Sequence, residues 1–364
     1  MSGEAILIAA VSGRALAQSA SRGRFDPVVL DLFNDRDLRA AAAANVCAKG
    51  GLRFNERELC SVASTLAAGL PLVYGAGFEA CPQTLSNLAR GRKLYGNSPE
   101  TLARVNDPER FFTLLDDLRI PHPEVSLTLP SSPEGWLAKK AGGAGGWHIG
   151  EKIRAKKGCY FQRRVSGRAL SVLFLADGRN TRVIGFNETR TAKLSGKPFC
   201  YAGAISHALV PPTAQAGISI TVERLVESLA LIGLNGMDFM LEGEEVSILE
   251  INARPPATLE LYDADFAQGI LAAHIRACEG SLPTQFSSDA VRASTVVYAH
   301  SPARITRSVR WPDHASDIPR VGTVIGTGQP ICTVHAEGSD FARVEREVRM
   351  RADTLHAILF EKAA

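Results

Sequence analysis

The sequence predicts a multidomain protein of mixed α/β and α+β class, and three observations support this prediction. The chain has 364 residues, which suits two or three domains better than one compact core. Its first part alternates apolar runs with helical segments, whereas strands dominate residues 160–254. Apolar residues make up 45% and charged residues 22%, the ordinary balance of a globular protein.

The N-terminal part predicts an α/β domain with a buried parallel sheet. Residues 5–11 form a continuous apolar run that leads through Ser12-Gly13 into an alanine-rich helical segment and a second apolar run at residues 28–32. A helix near residues 56–68 and a strand within residues 69–75 continue the alternation. Continuous apolar strands of this kind are typical of sheets that are covered on both faces.

The middle and last parts predict further helices and strands. Asp107 and Pro108 form a helix start, and residues 120–123, Ile-Pro-His-Pro, end that helix. Residues 160–254 are strand-rich with one helix, and after residue 293 a further strand-rich segment ends in a charged helix at residues 341–359. The apolar stripes of the two inner helices are Phe111, Leu114, Leu115 and Leu118, and Val222, Leu225, Val226 and Leu229.

Charge and cysteine usage exclude several classes of protein. A net charge of +3 implies no nucleic-acid partner. The seven cysteines are scattered without a C-x-x-C pair, as in proteins of a reducing compartment. Glu4 precedes the first apolar run, which favours a core strand over a signal peptide, and no run approaches the roughly 20 residues of a membrane helix. We therefore expect a cytoplasmic protein without a membrane partner.

A glycine-rich stretch follows two cations. Lys139 and Lys140 end a predicted strand, and the next loop contains Gly142, Gly143, Gly145 and Gly146. A loop without Cβ atoms can bring backbone N–H groups onto phosphate oxygens while an ammonium group neutralises their charge. The stretch lacks both the P-loop ending and the Rossmann glycine spacing. It predicts a phosphate-binding loop, with a flexible turn as the alternative.

An acidic hairpin is predicted over residues 236–256. A turn of about three residues would set Asp238 opposite Glu250. Glu250 and Asn252 differ by two, so we expect them on one strand face together with Val246 and Ile248. Two carboxylates and an amide oxygen suit a hard cation such as Mg²⁺. The alternative is a solvated strand end.

These two stretches together resemble the ATP-grasp superfamily, whose members clamp ATP between two α+β lobes. The loop after Lys139 resembles the family's flap, and residues 249–255, Leu-Glu-Ile-Asn-Ala-Arg-Pro, resemble its E-x-N-x-R metal signature. Residues 160–167 lie between them and are similar to the hinge between the lobes. The resemblance covers roughly residues 100–285 in the family's order.

The resemblance implies a domain order and a ligand. We expect a pre-ATP-grasp Rossmann-like domain at residues 1–98, a small lobe with the flap at 99–165 and a large lobe with the metal site at 166–288. A small β-rich domain would follow at 289–364. The implied ligands are ATP and Mg²⁺ or Mn²⁺.

The resemblance also implies roles for individual residues. The phosphate-binding set is Lys139, with Lys140 as the alternative, and the flap residues Gly143, Gly145 and Gly146. The adenine set at the hinge is Gln162, Arg163 and Val165. The metal set is Asp238, Glu250 and Asn252. Arg254 and Lys139 would be catalytic, Arg254 by stabilising the acyl-phosphate transition state.

Several positions outside these sets are also candidates. Many family members carry a cation after the aspartate that opens the linker helix, where this chain has Asp107-Pro108, and Arg110 is a substitute of uncertain fit. His148 in the flap is interpreted as a loop or substrate contact. The candidate substrate residues are Ser12, Arg14, Glu79 and Arg190.

The implied function is an ATP-dependent carboxylate–amine ligase that acts through an acyl phosphate on small-molecule substrates. Residues 12–17 and 74–79 are similar to the ligase group linked to methanofuran- and methanopterin-type cofactors, which includes tyramine–glutamate ligase. Two alternatives stay open: a bicarbonate-dependent, carboxylase-like enzyme and a non-catalytic ATP-binding regulatory protein. A homodimer is compatible with each of them.

Overall fold

The N-terminal region forms a Rossmann-like domain around a parallel sheet. The structure is a computed structural model that describes residues 3–42, 44–47, 53–194 and 196–360, with residues 44–47 described by their backbone. The elements are β1 (Glu4–Ala9), α1 (Arg14–Arg22), β2 (Phe25–Asp31), α2 (Arg36–Ala41), β3 (Ala44–Cys47), α3 (Glu56–Leu66), β4 (Leu72–Tyr74), α4 (Pro82–Ala89) and β5 (Leu94–Tyr95). The strand order is β3-β2-β1-β4-β5, with parallel pairing throughout.

Strand β1 shows why its sequence is continuously apolar. Ile6 and Ile8 pack into one hydrophobic cluster, together with residues of helix α8 (Gly269–Cys278) from the large lobe. Leu7 and Ala9 point the other way, into a cluster that includes Leu59 of α3. Because both faces of the sheet are covered, the side chains on each face of the strand are buried, and an apolar residue is favoured at every position.

Two helices and a small sheet make the next unit. The elements are α5 (Pro99–Asn106), α6 (Pro108–Asp117), β6 (Val125–Ser126), β7 (Trp136–Lys140), β8 (Ile149–Gly150) and β9 (Cys159–Arg163). The antiparallel strand order is β6-β9-β7-β8. Helix α6 begins as predicted, since the side chain of Asp107 accepts a hydrogen bond from the N–H of Arg110 at 3.2 Å.

The large lobe is built on long antiparallel strands. Its elements are β10 (Arg168–Asp177), β11 (Thr181–Leu194), β12 (Lys197–Ser206), α7 (Pro212–Leu229), β13 (Ile232–Glu242) and β14 (Glu245–Asn252), followed by 3-10 turns at Ala257–Leu261 and Asp263–Asp265 and by α8. The predicted stripe of α7 is buried and packs on one face of this sheet. Helix α8 packs on the other side, against β13 and β10.

The C-terminal segment is β-rich and continues the sheet of the large lobe. Its elements are β15 (Val291–Tyr298), β16 (Ala303–Arg304), β17 (Ala315–Ser316), β18 (Val324–Ile325), β19 (Pro330–Gly338) and α9 (Phe341–Phe360). Strand β15 pairs with β12, which gives an eight-stranded sheet in the order β14-β13-β10-β11-β12-β15-β19-β17. The charged C-terminal helix was predicted, but the shared sheet was not. Among the described helices, none combines the length and apolarity that a membrane crossing requires.

Candidate active site

The acidic hairpin forms with a shorter turn than the sequence predicts. Glu242 pairs with Glu245, so the turn has two residues, and a β-bulge between Phe239 and Asp238 then sets Asp238 opposite Glu250. The predicted pairing is therefore confirmed, although the predicted three-residue turn is wrong. The bulge adds one residue on β14, and this residue compensates for the turn being one residue shorter than predicted.

The same bulge overturns the expected face of β14. Ile248 pairs with Phe239, and both lie in the core beneath α7. Glu250 pairs with the neighbouring position, Asp238, whose side chain points to the opposite face of the sheet. Glu250 and Val246 therefore lie on different faces, and the prediction of one face that turns from apolar to acidic is wrong. A bulge shifts side-chain alternation by one residue, which sequence spacing does not reveal.

The two carboxylates form an electrostatically strained pair. Burial, followed by the charge of Glu250, raises the pKa of Asp238 well above its usual range. The side-chain amide of Asn252 donates a hydrogen bond to Asp238 Oδ2 at 3.1 Å. Two facing carboxylates are costly to ionise unless a cation lies between or beside them. Among the described residues no group of three or more His, Cys, Asp and Glu side chains could hold a metal ion.

Arg254 joins the acidic hairpin to the N-terminal domain. Its Nε donates to Glu79 Oε1 at 2.9 Å, and its Nη2 donates to Asn252 Oδ1 at 2.9 Å. Both ion-pair partners are buried, with exposed side-chain fractions of 9% for Arg254 and 8% for Glu79. The other Glu79 oxygen accepts the N–H of Gly77 at 2.7 Å. The carboxylate of Glu79 thus fixes the guanidinium of Arg254 from a separate domain.

The alternation of strand β7 separates the two candidate lysines. Lys139 is 3% exposed, whereas Lys140 is exposed. Burial lowers the pKa of Lys139, while the charges of Glu250 and Asp238 oppose this shift. Lys139 lies opposite Tyr160 on β9, and burial followed by Glu250 raises the pKa of Tyr160. This face of the small sheet therefore lies close enough to the acidic hairpin for its carboxylates to act on Lys139 and Tyr160.

The flap contacts backbone of the N-terminal domain and of strand β12. The N–H of Tyr201 on β12 donates to the carbonyl of Gly145 at 2.9 Å. Gly142 and Gly146 have positive φ angles of 66° and 73°. A Cβ would lie 2.7 Å from the carbonyl oxygen of Glu79 at the first position and 1.7 Å from that of Phe199 at the second. Only glycine permits both the backbone conformation and these approaches.

His148 lies inside this closed flap. A Cβ at Gly143 would come within 2.1 Å of the His148 ring, so the flap backbone and the imidazole pack directly together. Burial lowers the pKa of His148, and the charges of Glu250, Lys139 and Glu79 also act on the ring. Its Nδ1 is buried and has no hydrogen-bond partner among the described residues. Residue spacing carries no signal that predicts this environment for His148.

The hinge contributes one buried side chain and a stretch of backbone. Gln162 is 1% exposed, and its Nε2 is a buried donor without a partner in the described part of the chain. The N–H of Arg163 donates to the carbonyl of Glu124 at 2.8 Å. The guanidinium of Arg163 lies over the ring of Trp136, and Val165 is half-buried.

Arg14 is the centre of a second buried network. Its guanidinium contacts Glu260, with an Nη2 to Oε2 distance of 3.0 Å, and Asp317, with an Nε to Oδ1 distance of 3.0 Å. Burial alone lowers the pKa of Arg14, but Asp317 and Glu260 together outweigh it and raise the pKa above its usual value. Ser12 Oγ also donates to Asp317 at 3.4 Å. These contacts tie three parts of the chain together and favour a structural role for Arg14.

The other two candidate cations also have partners. Arg190 on β11 forms an ion pair with Glu345 of α9 at 3.0 Å, which favours a contact between the sheet and the C-terminal helix. Arg110 is at the surface, where its side chain is 70% exposed and lies 3.6 Å from Asp107. Neither contact is with the acidic hairpin.

The family comparison agrees with this geometry. Residues 105–258 match the profile described as the ATP-grasp domain, a stretch that contains the flap, the hinge and the acidic hairpin. These residues are thus similar to an ATP-grasp domain, and they lie within a mixed α/β fold. No curated protein matches the chain by sequence.

Solved structures show the same fold over nearly the whole chain. A biotin carboxylase complex with β,γ-ATP from Campylobacter jejuni has a TM-score of 0.75 at 14% identity, covering 94% of this chain and 89% of that chain. The MgADP- and bicarbonate-bound biotin carboxylase domain dimer of the Hydrogenobacter thermophilus 2-oxoglutarate carboxylase scores 0.74 at 12% identity, covering 94% and 88%. N5-carboxyaminoimidazole synthetase from Staphylococcus aureus with ADP scores 0.69 at 15% identity, covering 96% and 97%. These similarities concern the fold and confirm its predicted class.

Proposed function

We propose that this protein is an ATP-dependent carboxylate–amine ligase that uses ATP and Mg²⁺. The observation that carries the proposal is that buried Lys139 of the small sheet interacts electrostatically with Asp238 and Glu250, which pair on neighbouring strands of the large sheet. The buried guanidinium of Arg254 adjoins that pair through Asn252. A phosphate cation, a metal-binding pair and an anion-stabilising guanidinium are the parts that acyl-phosphate formation requires.

The residues around the cleft fit a nucleotide. Lys139 would neutralise the α- and β-phosphates, since its ammonium group is buried in the cleft and Lys140 is exposed. The flap would cover the phosphates through its backbone N–H groups. At the hinge, the carbonyl of Arg163 and the N–H of Val165 would meet the adenine edge. The orphaned amide donor of Gln162 would find an acceptor on the base.

The donor set fits Mg²⁺, or Mn²⁺. Asp238 and Glu250 offer facing carboxylate oxygens, and the Oδ1 of Asn252 has a second lone pair besides the one that accepts from Arg254. Mg²⁺ is commonly held by one or two carboxylates, with water and phosphate oxygens as the other ligands. When bound, it supplies charge neutralisation at the phosphates. The raised pKa of Asp238 is the expected state of such a pair without a cation.

The proposed reaction has two steps. An oxygen of the substrate carboxylate attacks the γ-phosphorus of ATP, the bond to the β,γ-bridging oxygen breaks, and ADP leaves. The amine then attacks the acyl carbon, and phosphate departs with the electron pair of the C–O bond. Arg254 stabilises the negative charge that develops in both steps, while the closed flap keeps water from the acyl phosphate.

A bicarbonate-dependent enzyme is the second candidate. Its support is the fold shared with a carboxylase domain that holds MgADP and bicarbonate. The nucleotide and metal residues would serve both reactions equally, because the first step of each is phosphorylation of a carboxylate. The narrower assignment, to ligases of methanofuran- or methanopterin-type cofactors, rests on residues 12–17 and 74–79 alone. We also propose that the protein forms a homodimer.

Release of ADP against a panel of acids and amines tests the proposal. We expect ADP release from one acid and amine pair, in the presence of Mg²⁺, and no release when the amine is omitted from a multiple-turnover assay. Glu250→Gln should abolish turnover while circular dichroism stays native, because the carboxylate acts on the cation and lies outside the apolar core. Turnover with bicarbonate alone would favour the carboxylase-like enzyme. Normal rates in Glu250→Gln at saturating Mg²⁺ would refute the metal assignment.

A further inference from the structure

The imidazole of His148 is a half-buried titratable group for which the proposed two-step reaction gives no task. It is carried by the flap, and its ring is packed so closely against the flap backbone that residue 143 must be glycine. Its Nδ1 is buried without a hydrogen-bond partner among the described residues. A buried polar atom left unpaired in this way costs free energy, and such atoms commonly await a ligand.

The surroundings of the ring place it within the proposed site. The charges that act on His148 are those of Glu250 on β14, Lys139 on β7 and Glu79 in the loop after β4. Lys139 would hold phosphates, Glu250 would hold the cation, and Glu79 fixes Arg254. The N–H of Lys140 donates to the carbonyl of His148 at 3.3 Å, and Gly142 packs on the backbone of Glu79, so the flap carries the imidazole beside the proposed phosphate site.

The unpaired nitrogen of the ring is the atom that can accept a proton. Nδ1 is buried and has no hydrogen-bond partner among the described residues. A neutral ring with its proton on Nε2 carries a lone pair on Nδ1. Burial, which lowers the pKa of His148, keeps the ring neutral near pH 7.

We propose that His148 Nδ1 is the general base that removes the proton from the attacking amine. This inference rests on the proposed ligase function. In the second step the amine nitrogen bonds to the acyl carbon, its N–H electron pair remains on nitrogen, and the released proton passes to Nδ1. The acyl C–O bond breaks and phosphate leaves with its electron pair. The proton then returns to solvent when the flap opens.

Placing the base on the flap links nucleophile activation to closure. In the closed flap the N–H of Tyr201 holds the carbonyl of Gly145, and Gly146 touches the backbone of Phe199. In this arrangement Nδ1 is buried. An amine would thus be activated only after ATP had closed the flap, which limits loss of the acyl phosphate to water.

Nucleophiles of different basicity test the role of His148 separately from acyl-phosphate formation. Hydroxylamine is neutral at pH 7 and needs little help from a base, whereas methylamine is protonated there. With the acid identified by ADP release, wild-type protein should form both the hydroxamate and the methylamide. His148→Gln should keep hydroxamate formation within about threefold and lose methylamide formation by about a hundredfold or more, the usual contribution of a general base. Raising the pH should partly restore the methylamide rate in this variant.

The outcomes separate the two hypotheses. His122→Gln is the control for loss of a histidine, because that side chain bonds to Asp116 and Pro123 beside α6, outside the cleft. Equal methylamide rates in wild type and His148→Gln would overturn the base while the ligase stands. Parallel loss of both products would also overturn it and leave His148 as a packing residue of the flap. Absence of hydroxamate from wild-type protein with every acid would refute the ligase itself.

Discussion

Glu79→Gln should uncouple Arg254 from the N-terminal domain and slow the chemical step. The carboxylate of Glu79 lies 2.9 Å from Arg254 Nε, and both side chains are buried. Glutamine preserves the shape and one acceptor oxygen but removes the charge. A hydrogen bond between charged groups contributes about 1.5–3 kcal/mol, so if this contribution acts in the transition state kcat should fall by roughly 10- to 150-fold.

The kinetic signature distinguishes positioning from nucleotide binding. Because Glu79 fixes Arg254 and contacts neither the hinge nor Lys139, the KM for ATP should change by less than about threefold. Arg254→Met should also abolish the effect of Glu79→Gln, since the two residues act as one unit in a double-mutant cycle. The assay is steady-state ADP release, with folding stability measured in parallel by urea denaturation.

A matched control removes a carboxylate that lies far from Arg254. Glu223 is exposed on α7, and Glu223→Gln should leave kcat unchanged. Folding stability of Glu79→Gln should fall as well, because removal of one partner of a buried ion pair leaves a charge uncompensated, although Asn252 Oδ1 still accepts from Arg254. A kcat within twofold of wild type, or a loss confined to the KM for ATP, would refute the positioning role.

Two further predictions concern the lysines of β7 and a buried carboxylate of the N-terminal domain. Lys139→Met should weaken ATP binding by about 10- to 100-fold, leave adenosine binding unchanged by calorimetry, and exceed the effect of Lys140→Met, since only Lys139 is buried in the cleft; equal effects of the two variants would contradict the assignment. Burial, then Asp317 and Asp31, raises the pKa of Asp35 from 3.8 to about 8. The folded state therefore holds a proton that the unfolded state releases, and folding stability falls as pH rises from about 4 to about 8. Asp35→Asn should be more stable relative to wild type at pH 8 than at pH 5, by on the order of 4 kcal/mol in urea denaturation; an equal difference at both pH values would show that Asp35 is not protonated in the folded protein.

Local patterns in the sequence determined the elements and the kinds of residue at the site. The apolar run at residues 5–11 predicts a strand covered on both faces, and β1 has that environment. Asp107 and Pro108 predict the start of α6, and the stripe of α7 predicts its buried face. These features depend on neighbours within one or two turns of chain, so spacing alone reveals them.

The tertiary structure decided what the site residues do to each other. The sequence predicted Asp238 opposite Glu250, but the bulge on β14 sets their face, and a bulge leaves no spacing signal. Arg14 and Glu79 were both predicted as substrate residues from glycine turns at strand ends. Their observed partners lie far along the chain, Arg14 with Asp317 and Glu79 with Arg254. A sequence shows which residues carry charge, whereas the pairing of buried charges depends on the packing of separate domains.

The flap shows the same division within a single loop. Glycine content predicted a loop that approaches other backbone closely, because only glycine tolerates such contacts at positive φ. Which backbone it approaches, and that His148 thereby lies beside Lys139 and Glu250, follows from the closure of the small sheet over the large one. A histidine on a loop belongs to no periodic pattern from which its environment could be predicted. Its buried and unpaired nitrogen exists only once the flap has packed against other parts of the chain.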